Sequence, residues 1–424
     1  MTISLKHWLL TGGLSFFLIP SAWAANPDHV NRLLATRDCP GCNLSGANLT
    51  GAYLRQANLR GANLEGAILN GADLQGAYLL RANLTDADLR NANLSGANLD
   101  QVNLTGTQLG HAILTDDTVL SAQGRLIHAL VTEGVGDRDL RSANLQGANL
   151  SEADLRNTNL EGANLQGAIL NGANLQNSNL TGTTLQSADL FVTNLRNTNL
   201  SNVNLQNSSL RAADLRNANL SGTNLSNADL LATYLGEANL TNANLSRSNL
   251  ASANLTRATL NNTVLERANL RLADLQGTNL SAANLQQANL TGATVTNVTL
   301  ENGNLLRANL EGIVLHNSNL QGADLRGQNL AGADLRGSNL RGSNLSNVNL
   351  QGAKLSGIDL TGANLIDANL READLTNANL TNANLIGANL RQANLQGATL
   401  QGIQVNATNF CDATMSDGRK HPCQ

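Results

Sequence analysis

Leu stands at every fifth position from Leu44 to Leu114, fifteen times in fifteen. A second series runs from Leu140 to position 410 and holds Leu at 52 of 55 places, with Val295, Val405 and Phe410 as the exceptions. The residue two before each Leu is usually Ala, as at Ala47, Ala52 and Ala57. The one just before it is Asn or, less often, Asp, as at Asn48 and Asp73. Apolar and polar positions thus share a period of five through most of the chain, and such a period is read as a repeat before any single element is assigned.

No regular helix or flat strand accommodates this period. Five helical residues advance by about 500°, so successive Leu would step round the helix by about 140° and form no stripe. In a flat strand an odd period throws alternate Leu to opposite faces. A bend inside each pentad resolves the conflict. Ala and Leu then both point inward, the Asn between them points outward, and Gly46 or Asn91 suits the corner. The chain is predicted to wind into a coil lined by Leu and Ala. Gln146, Gln166, Gln186 and Gln206 recur at a spacing of 20, as do Asn157, Asn177, Asn197 and Asn217. Stacked amide ladders on a coil of four pentads account for both.

Tandem A(N/D)LXX units over about 42–119 and 138–410 resemble the pentapeptide-repeat family, in the form of its exported, cyanobacterial-type members. The resemblance implies an all-β fold, a right-handed quadrilateral β-helix with four pentads per coil. Seventy pentads then make 17 to 18 coils. At about 4.8 Å per coil, a continuous rod would be roughly 85 Å long. Its interior is expected to be packed solid, without an internal ligand pocket.

The remaining segments read as an address, two caps and a break. Residues 1–24 form a secretory signal peptide: Lys6, an apolar run from Trp8 to Ile19, Pro20, and an A-x-A site at Ala22-Trp23-Ala24 with cleavage after Ala24. That apolar run is too short to span a bilayer as a helix, and no later segment resembles a membrane span. Residues 25–41 are expected to form an N-terminal helical cap, with a helix over 28–36 capped by Asp28 and with Val30, Leu33 and Leu34 on one side. Between Leu114 and Leu140 the Leu phase slips by one. Val119 reads as a sixteenth pentad centre, and 120–137 as a helical interruption. Its helix, about 121–133, carries Leu126, Ile127, Leu130 and Val131 and stops at Gly134. Residues 411–424 are assigned to a C-terminal cap, since an open β-helix end invites end-to-end pairing.

Composition narrows the function. Both Trp and two of the four Phe lie in residues 1–24, which leaves Phe191, Phe410, Tyr53, Tyr78 and Tyr234 as the aromatics of everything after. The formal net charge of −4 excludes a strongly basic nucleic-acid binder. Four cysteines frame the repeats. In an exported chain Cys39 with Cys42 and Cys411 with Cys423 are expected as two local disulfides stapling the caps. The five His after the leader are scattered, and Asp154, Asp189, Asp214 and Asp229 occupy places where the repeat permits Asp for Asn. No catalytic residue, cofactor or metal site is assigned. The many N-x-Ser/Thr sequons, as at Asn43, Asn48, Asn83 and Asn93, fit a bacterial or organelle-type export route better than a glycosylating one.

On a 20-residue turn Phe191, Arg211 and Leu231 share one face with Tyr234 near the next corner, while Ile366 and Ile386 stack elsewhere. Aromatic and Arg clusters suit binding surfaces. The sequence therefore points to a non-enzymatic exported structural or interaction protein of the periplasm or thylakoid lumen. Its rigid rod would present side-chain ladders to an unnamed protein or envelope partner, its own oligomeric state being open. The competing expectation is a DNA-mimicking, gyrase-binding protein that confers fluoroquinolone protection, as some members of that family do. Export, and the excess of Asn over Asp before Leu, both oppose it.

Overall fold

The computed structural model describes residues 24–133, 139–310 and 313–423. The chain divides after Gly124 into two compact units. Ala22 and Gly134 lie outside the described residues, whereas Ala24 is exposed at their start.

Both units contain a parallel β-helix. In the first, bridges join residues 20 apart, from Asp38 with Asn58 to Asn93 with Ile113. In the second they run from Asp139 with Asn159 to Asn394 with Thr414 at the same spacing. One coil is therefore 20 residues, or four pentads, and every outward position recurs as a column along the stack.

The pentad Asn219-Leu220-Ser221-Gly222-Thr223 shows why the sequence takes this path. Leu220 N–H donates to Asn239 O at 2.7 Å and Gly222 N–H to Thr241 O at 2.9 Å, both on the next coil. Asn219 N–H donates back to Thr198 O at 2.9 Å. Thr223 N–H closes the corner on Leu220 O at 3.1 Å. Ser221 N–H points at no backbone acceptor, and the Asn219 side chain takes it, Oδ1 accepting at 3.2 Å. Every backbone donor of the pentad is thus satisfied, as a largely buried chain requires. The same Asn219 donates through Nδ2 to Asn199 Oδ1 at 3.1 Å on the coil before and accepts from Asn239 Nδ2 at 3.3 Å. Asn outnumbers Asp in this slot because only the amide both accepts and donates.

The corner explains the fifth position. The residue two after Leu lies in the left-handed region, Gly222 at φ 67° and Asn217 at φ 59°. Gly takes this conformation freely and Asn more readily than most residues. Inside, the Leu column and the Ala column are almost wholly inaccessible to solvent. Where Ser or Thr replaces Ala the hydroxyl is also buried, and it donates to a Leu carbonyl, as Thr223 Oγ1 does to Leu200 O at 2.8 Å. A polar group is accepted in the core only on that condition.

The ends and the break depart from the sequence reading. Helix α1 spans Pro27–Thr36, and its N-cap is Asn26, whose side chain accepts from Asp28 N–H at 2.9 Å. Asp28 is therefore inside the first turn, because Pro27 takes the first helical position, where a missing N–H costs nothing. Leu33 is buried, but Leu34 is exposed and Val30 half-buried, so the expected apolar side narrows to one anchor. The β-helix also begins before residue 42: Asp38 already bridges Asn58, and Cys39 and Cys42 fill the inward Leu and Ala slots of that earlier pentad.

Val119 is not a pentad centre. It bridges Asn98 and so holds the Asn slot, with Thr118 buried in the Ala slot and Leu120 in the Leu slot. Asn98 and Val119 are 21 apart because one extra residue enters the corner between Leu114 and Thr118. Helix α2 spans Ala122–Thr132, with Ile127 and Leu130 buried. A Cβ added at Gly124 would lie 2.8 Å from Leu120 Cδ1 and 2.9 Å from Leu104 Cδ1, so the start of α2 rests directly on the last coil of the first unit. At the other end Thr414 still pairs with Asn394, and the cap proper begins after it.

Two substitutions in one pentad separate these contributions. Leu220→Ala should cost about 2–5 kcal/mol in urea unfolding through the cavity it leaves. Asn219→Ala, which removes the cap and a ladder rung together, should cost about 1–2 kcal/mol. Asn219→Asp should cost less than Asn219→Ala at neutral pH, since the acceptor is retained.

Candidate interaction surfaces

The outer coat of the coils is mostly amide and hydroxyl. Asn ladders run along it in the slot before Leu, for example Asn179 to Asn159 at 3.2 Å and Asn269 to Asn249 at 2.9 Å. The corner ladder read from the sequence is carried by Asn177 to Asn157 at 3.3 Å and Asn197 to Asn177 at 3.1 Å.

Against this coat the apolar positions stand out by place. Phe191, Arg211 and Leu231 occupy one column on successive coils, where Val192 N–H donates to Arg211 O at 3.0 Å and Ala212 N–H to Leu231 O at 2.9 Å. Phe191 and Val192 are each about half exposed, at 48% and 50%, and Leu231 is half-buried. Arg211 Nε lies 3.8 Å from Asp229, at the edge of the same face. Tyr234 sits round the corner in the Asn slot, bridging Asp214 and Asn254, and the Arg216 guanidinium lies 5.8 Å from its ring centroid. Ile366 and Ile386 stack on neighbouring coils in another column, and both are half-buried. They do not join the Phe191 group. Val192 and Leu272, both exposed at corner positions, extend that group. The sequence signal for them is a large apolar residue at a corner place otherwise given to Gly or to small, polar or charged residues.

The acidic residues have a structural task. Asp189 Oδ1 accepts Phe191 N–H at 3.3 Å, and Asp229 Oδ1 accepts Leu231 N–H at 3.1 Å, repeating the Asn cap. Asp88, Asp139, Asp154, Asp214, Asp324 and Asp334 each meet an Arg two residues on, as in Asp88 with Arg90 Nε at 2.8 Å and Nη2 at 2.7 Å. The repeated D-L-R triplet was the overlooked sign of these pairs. The Arg90 hydrogen bond holds the Asp88 carboxyl below the ordinary carboxylate range, and Arg326 does the same to Asp324. At Asp214 burial pushes upward, but the Arg216 hydrogen bonds and charge prevail and the carboxyl again lies low. These groups are held ionised, the opposite of what a general acid needs.

The cysteine pairs stand at the two ends of the repeats. The sulfurs of Cys39 and Cys42 are at bonding distance with Cα atoms 5.4 Å apart, and those of Cys411 and Cys423 likewise with Cα atoms 4.3 Å apart. Helix α1 lies over the first pair: Cys39 Sγ is 3.3 Å from His29 O, and His29 Nδ1 accepts Asn43 N–H at 3.0 Å. A depression of about 460 Å³ beside Gly277 is lined by Glu237, Thr256, Arg257, Gln276 and Asn297. Its charges are an exposed ion pair, Arg257 to Glu237 at 3.7 Å. Among the described residues no helix is long and apolar enough to cross a membrane.

A family model described as pentapeptide repeats (8 copies) matches residues 42–79, 77–116, 139–191, 193–230 and 232–417. Among solved structures the chain is similar to HetL, a pentapeptide repeat protein involved in heterocyst differentiation regulation in the cyanobacterium Nostoc. Identity there is 34%, over 56% of this chain and 93% of that one, with a TM-score of 0.31. It is similar to a pentapeptide repeat protein of the Arabidopsis thaliana thylakoid lumen at 34% identity, over 24% of this chain and 70% of that one, TM-score 0.20. With QnrB1, a plasmid-mediated fluoroquinolone resistance protein, it shares 15% identity over 41% of this chain and 85% of that one, TM-score 0.28. No curated protein matches the chain.

A lowered carboxyl stabilises the fold above its unfolded pKa, about 3.9 for Asp, and the gain is lost as pH falls through the folded value. The urea midpoint of the first unit should therefore fall slightly on Arg90→Ala at pH 7, and this difference should shrink below about pH 4. A difference that does not change with pH would show that the ionised Asp88 is not what Arg90 supports.

Proposed function

The chain belongs to the pentapeptide-repeat family, and from that premise we propose that it is a non-enzymatic exported structural or interaction protein. The coil of four pentads has a quadrilateral cross-section in this reading, and the outer columns are its working surface. The observation that carries the proposal is the grouping of Phe191, Val192, Leu231 and Leu272 on one face and its corner, with Arg211 and Arg271 among them. The columns on the other sides of those coils are amide, hydroxyl, charged or Gly, apart from Tyr234 and Val264. A flat apolar strip carrying Arg, set in a polar coat, is the composition of a protein-binding surface. The partner is a protein or an envelope component meeting that face.

Export to the periplasm or thylakoid lumen rests on residues 1–24, read as a cleaved leader. The paired cysteines agree with an oxidising compartment. In the mature chain helix α1 and the segment after Thr414 serve as caps, the stretch around α2 interrupts two repeat runs, and the reading calls for no cofactor.

Two outcomes test this reading. A C-terminally tagged chain expressed in its native host should be recovered from the periplasm or lumen with an intact mass that begins at Ala25. Recovery of an unprocessed cytoplasmic product would overturn the localisation. Phe191→Ser combined with Leu231→Ser should lower partner capture from that compartment by about tenfold or more, as loss of an interface anchor does, while leaving thermal unfolding little changed. Unchanged capture would remove this face from the proposal.

A further inference from the structure

The two cysteine pairs are built into unlike surroundings. Cys39 and Cys42 are 0% and 2% exposed, whereas Cys411 is half-buried and Cys423 exposed. The exposed pair also ends a different kind of structure. After Thr414 makes the last parallel bridge, the chain turns through Met415 to Gly418, where Gly418 takes φ 82°, and Lys420 returns antiparallel to Thr414. Met415 N–H donates to Arg419 O at 2.8 Å, His421 N–H to Ala413 O at 2.8 Å, and Asp412 N–H to His421 O at 3.0 Å. This return strand occupies an edge on which another coil, or another chain, could otherwise pair. Lys420 Nζ on Asp412 O at 3.0 Å and the Phe410 and His421 rings, 5.7 Å apart, add contacts around it. The turn is closed locally by Gly418 N–H on Met415 O at 2.9 Å and Arg419 N–H on Asp417 Oδ1 at 2.9 Å.

We propose that the Cys411–Cys423 bridge is a redox-operated latch on the C-terminal edge, opened by a dithiol under conditions that leave Cys39–Cys42 closed. A thiolate of the dithiol attacks Cys423 Sγ, the sulfur open to solvent, and Cys411 leaves as a thiolate. The second thiol of the dithiol, once deprotonated, then attacks its own sulfur in the mixed disulfide and releases Cys423. The protein gains two electrons, the dithiol ends as a disulfide, and each cysteine thiolate takes a proton according to its pKa. The attack needs a path to sulfur that Cys423 offers. Helix α1 denies that path to Cys39 and Cys42, which become reducible only when α1 lifts. Freed of its tether, a terminal return strand paired on one edge only, by few hydrogen bonds, opens locally and frays. The latch depends on neither the compartment nor the partner proposed above.

The test uses the oxidised mature chain, residues 25–424, with dithiothreitol as the reductant. Timed alkylation read by mass spectrometry should label Cys411 and Cys423 together, at least about tenfold faster than Cys39 and Cys42. Hydrogen exchange on the same samples should show Asp412, Met415 and His421 losing protection. Leu390 and Leu395, which donate to Asn409 O and Thr414 O, should keep theirs. The variant Cys411→Ser with Cys423→Ser should show the opened end without reductant and the same circular dichroism as the parent. Equal labelling rates for the two pairs would overturn the proposal. So would free Cys411 and Cys423 thiols in the oxidised preparation, or full protection of the return strand once the bridge is gone.

Discussion

One backbone N–H in each pentad, that of the residue after Leu, has no carbonyl to reach, and the rest of the architecture depends on how it is met. The other four donors are used by the neighbouring coils and by the corner, as around Leu220. The side chain before Leu supplies the missing acceptor from two residues back, as Asn219 does for Ser221. A short carboxylate or carboxamide reaches this far without disturbing the strand, as in the Asx-turns that Asn and Asp form elsewhere. The amide has a remaining donor that points along the stack. The local cap and the coil-to-coil ladder are therefore two uses of one residue, whereas an Asp in the same slot keeps the cap but lacks the donor, and in the D-L-R triplets it meets a cation instead.

The interior obeys a complementary rule. Leu from each pentad fills the axis, and the slot two before it mostly takes what is small or can turn its polar atom onto the backbone, with larger apolar residues such as Val203 and Ile358 also buried there. Ala meets the first condition; Thr183, Thr193 and Thr223 meet the second by donating to Leu carbonyls at 3.0, 2.8 and 2.8 Å. Cys39 and Cys42 satisfy it in a third way, by bonding to each other in the Leu and Ala slots under α1. A packed axis leaves chemistry and recognition to the outside, where substitutions at corner and slot positions are tolerated. That freedom is where Phe191, Val192 and Leu272 arise.

How much of this was legible follows from which forces are periodic. The β-helix and its 20-residue coil were readable because burial and the Asn cap act at every fifth residue and leave a mark in composition. The column of Phe191, Arg211 and Leu231 followed directly from that register. Single events left weaker marks. The extra residue in the corner after Leu114 moved Val119 out of a core slot, yet Val is as plausible inside as outside. The cap of α1 was misplaced by two residues because Asn26 and Asp28 are both good caps, and only Pro27 at the first helical position decides between them. The D-L-R pairs were overlooked because each Asp already made sense as a substitute for Asn. Ile366 and Ile386 were correctly placed in a common column, but half-burial could not be read from spacing alone.

The twenty-residue register is tested most directly by paired cysteines at corner positions. Asn197 and Asn217 occupy the same corner on adjacent coils, whereas Ala212 lies at the corner three pentads on from Asn197. Adjacent parallel strands about 4.8 Å apart lie within the span of a disulfide. Mild oxidation of the Asn197→Cys, Asn217→Cys protein should therefore yield a bridge mapped by mass spectrometry, and the Asn197→Cys, Ala212→Cys protein should yield none. Bridging of positions 197 and 212, or its absence between 197 and 217 in folded protein, would contradict a coil of four pentads.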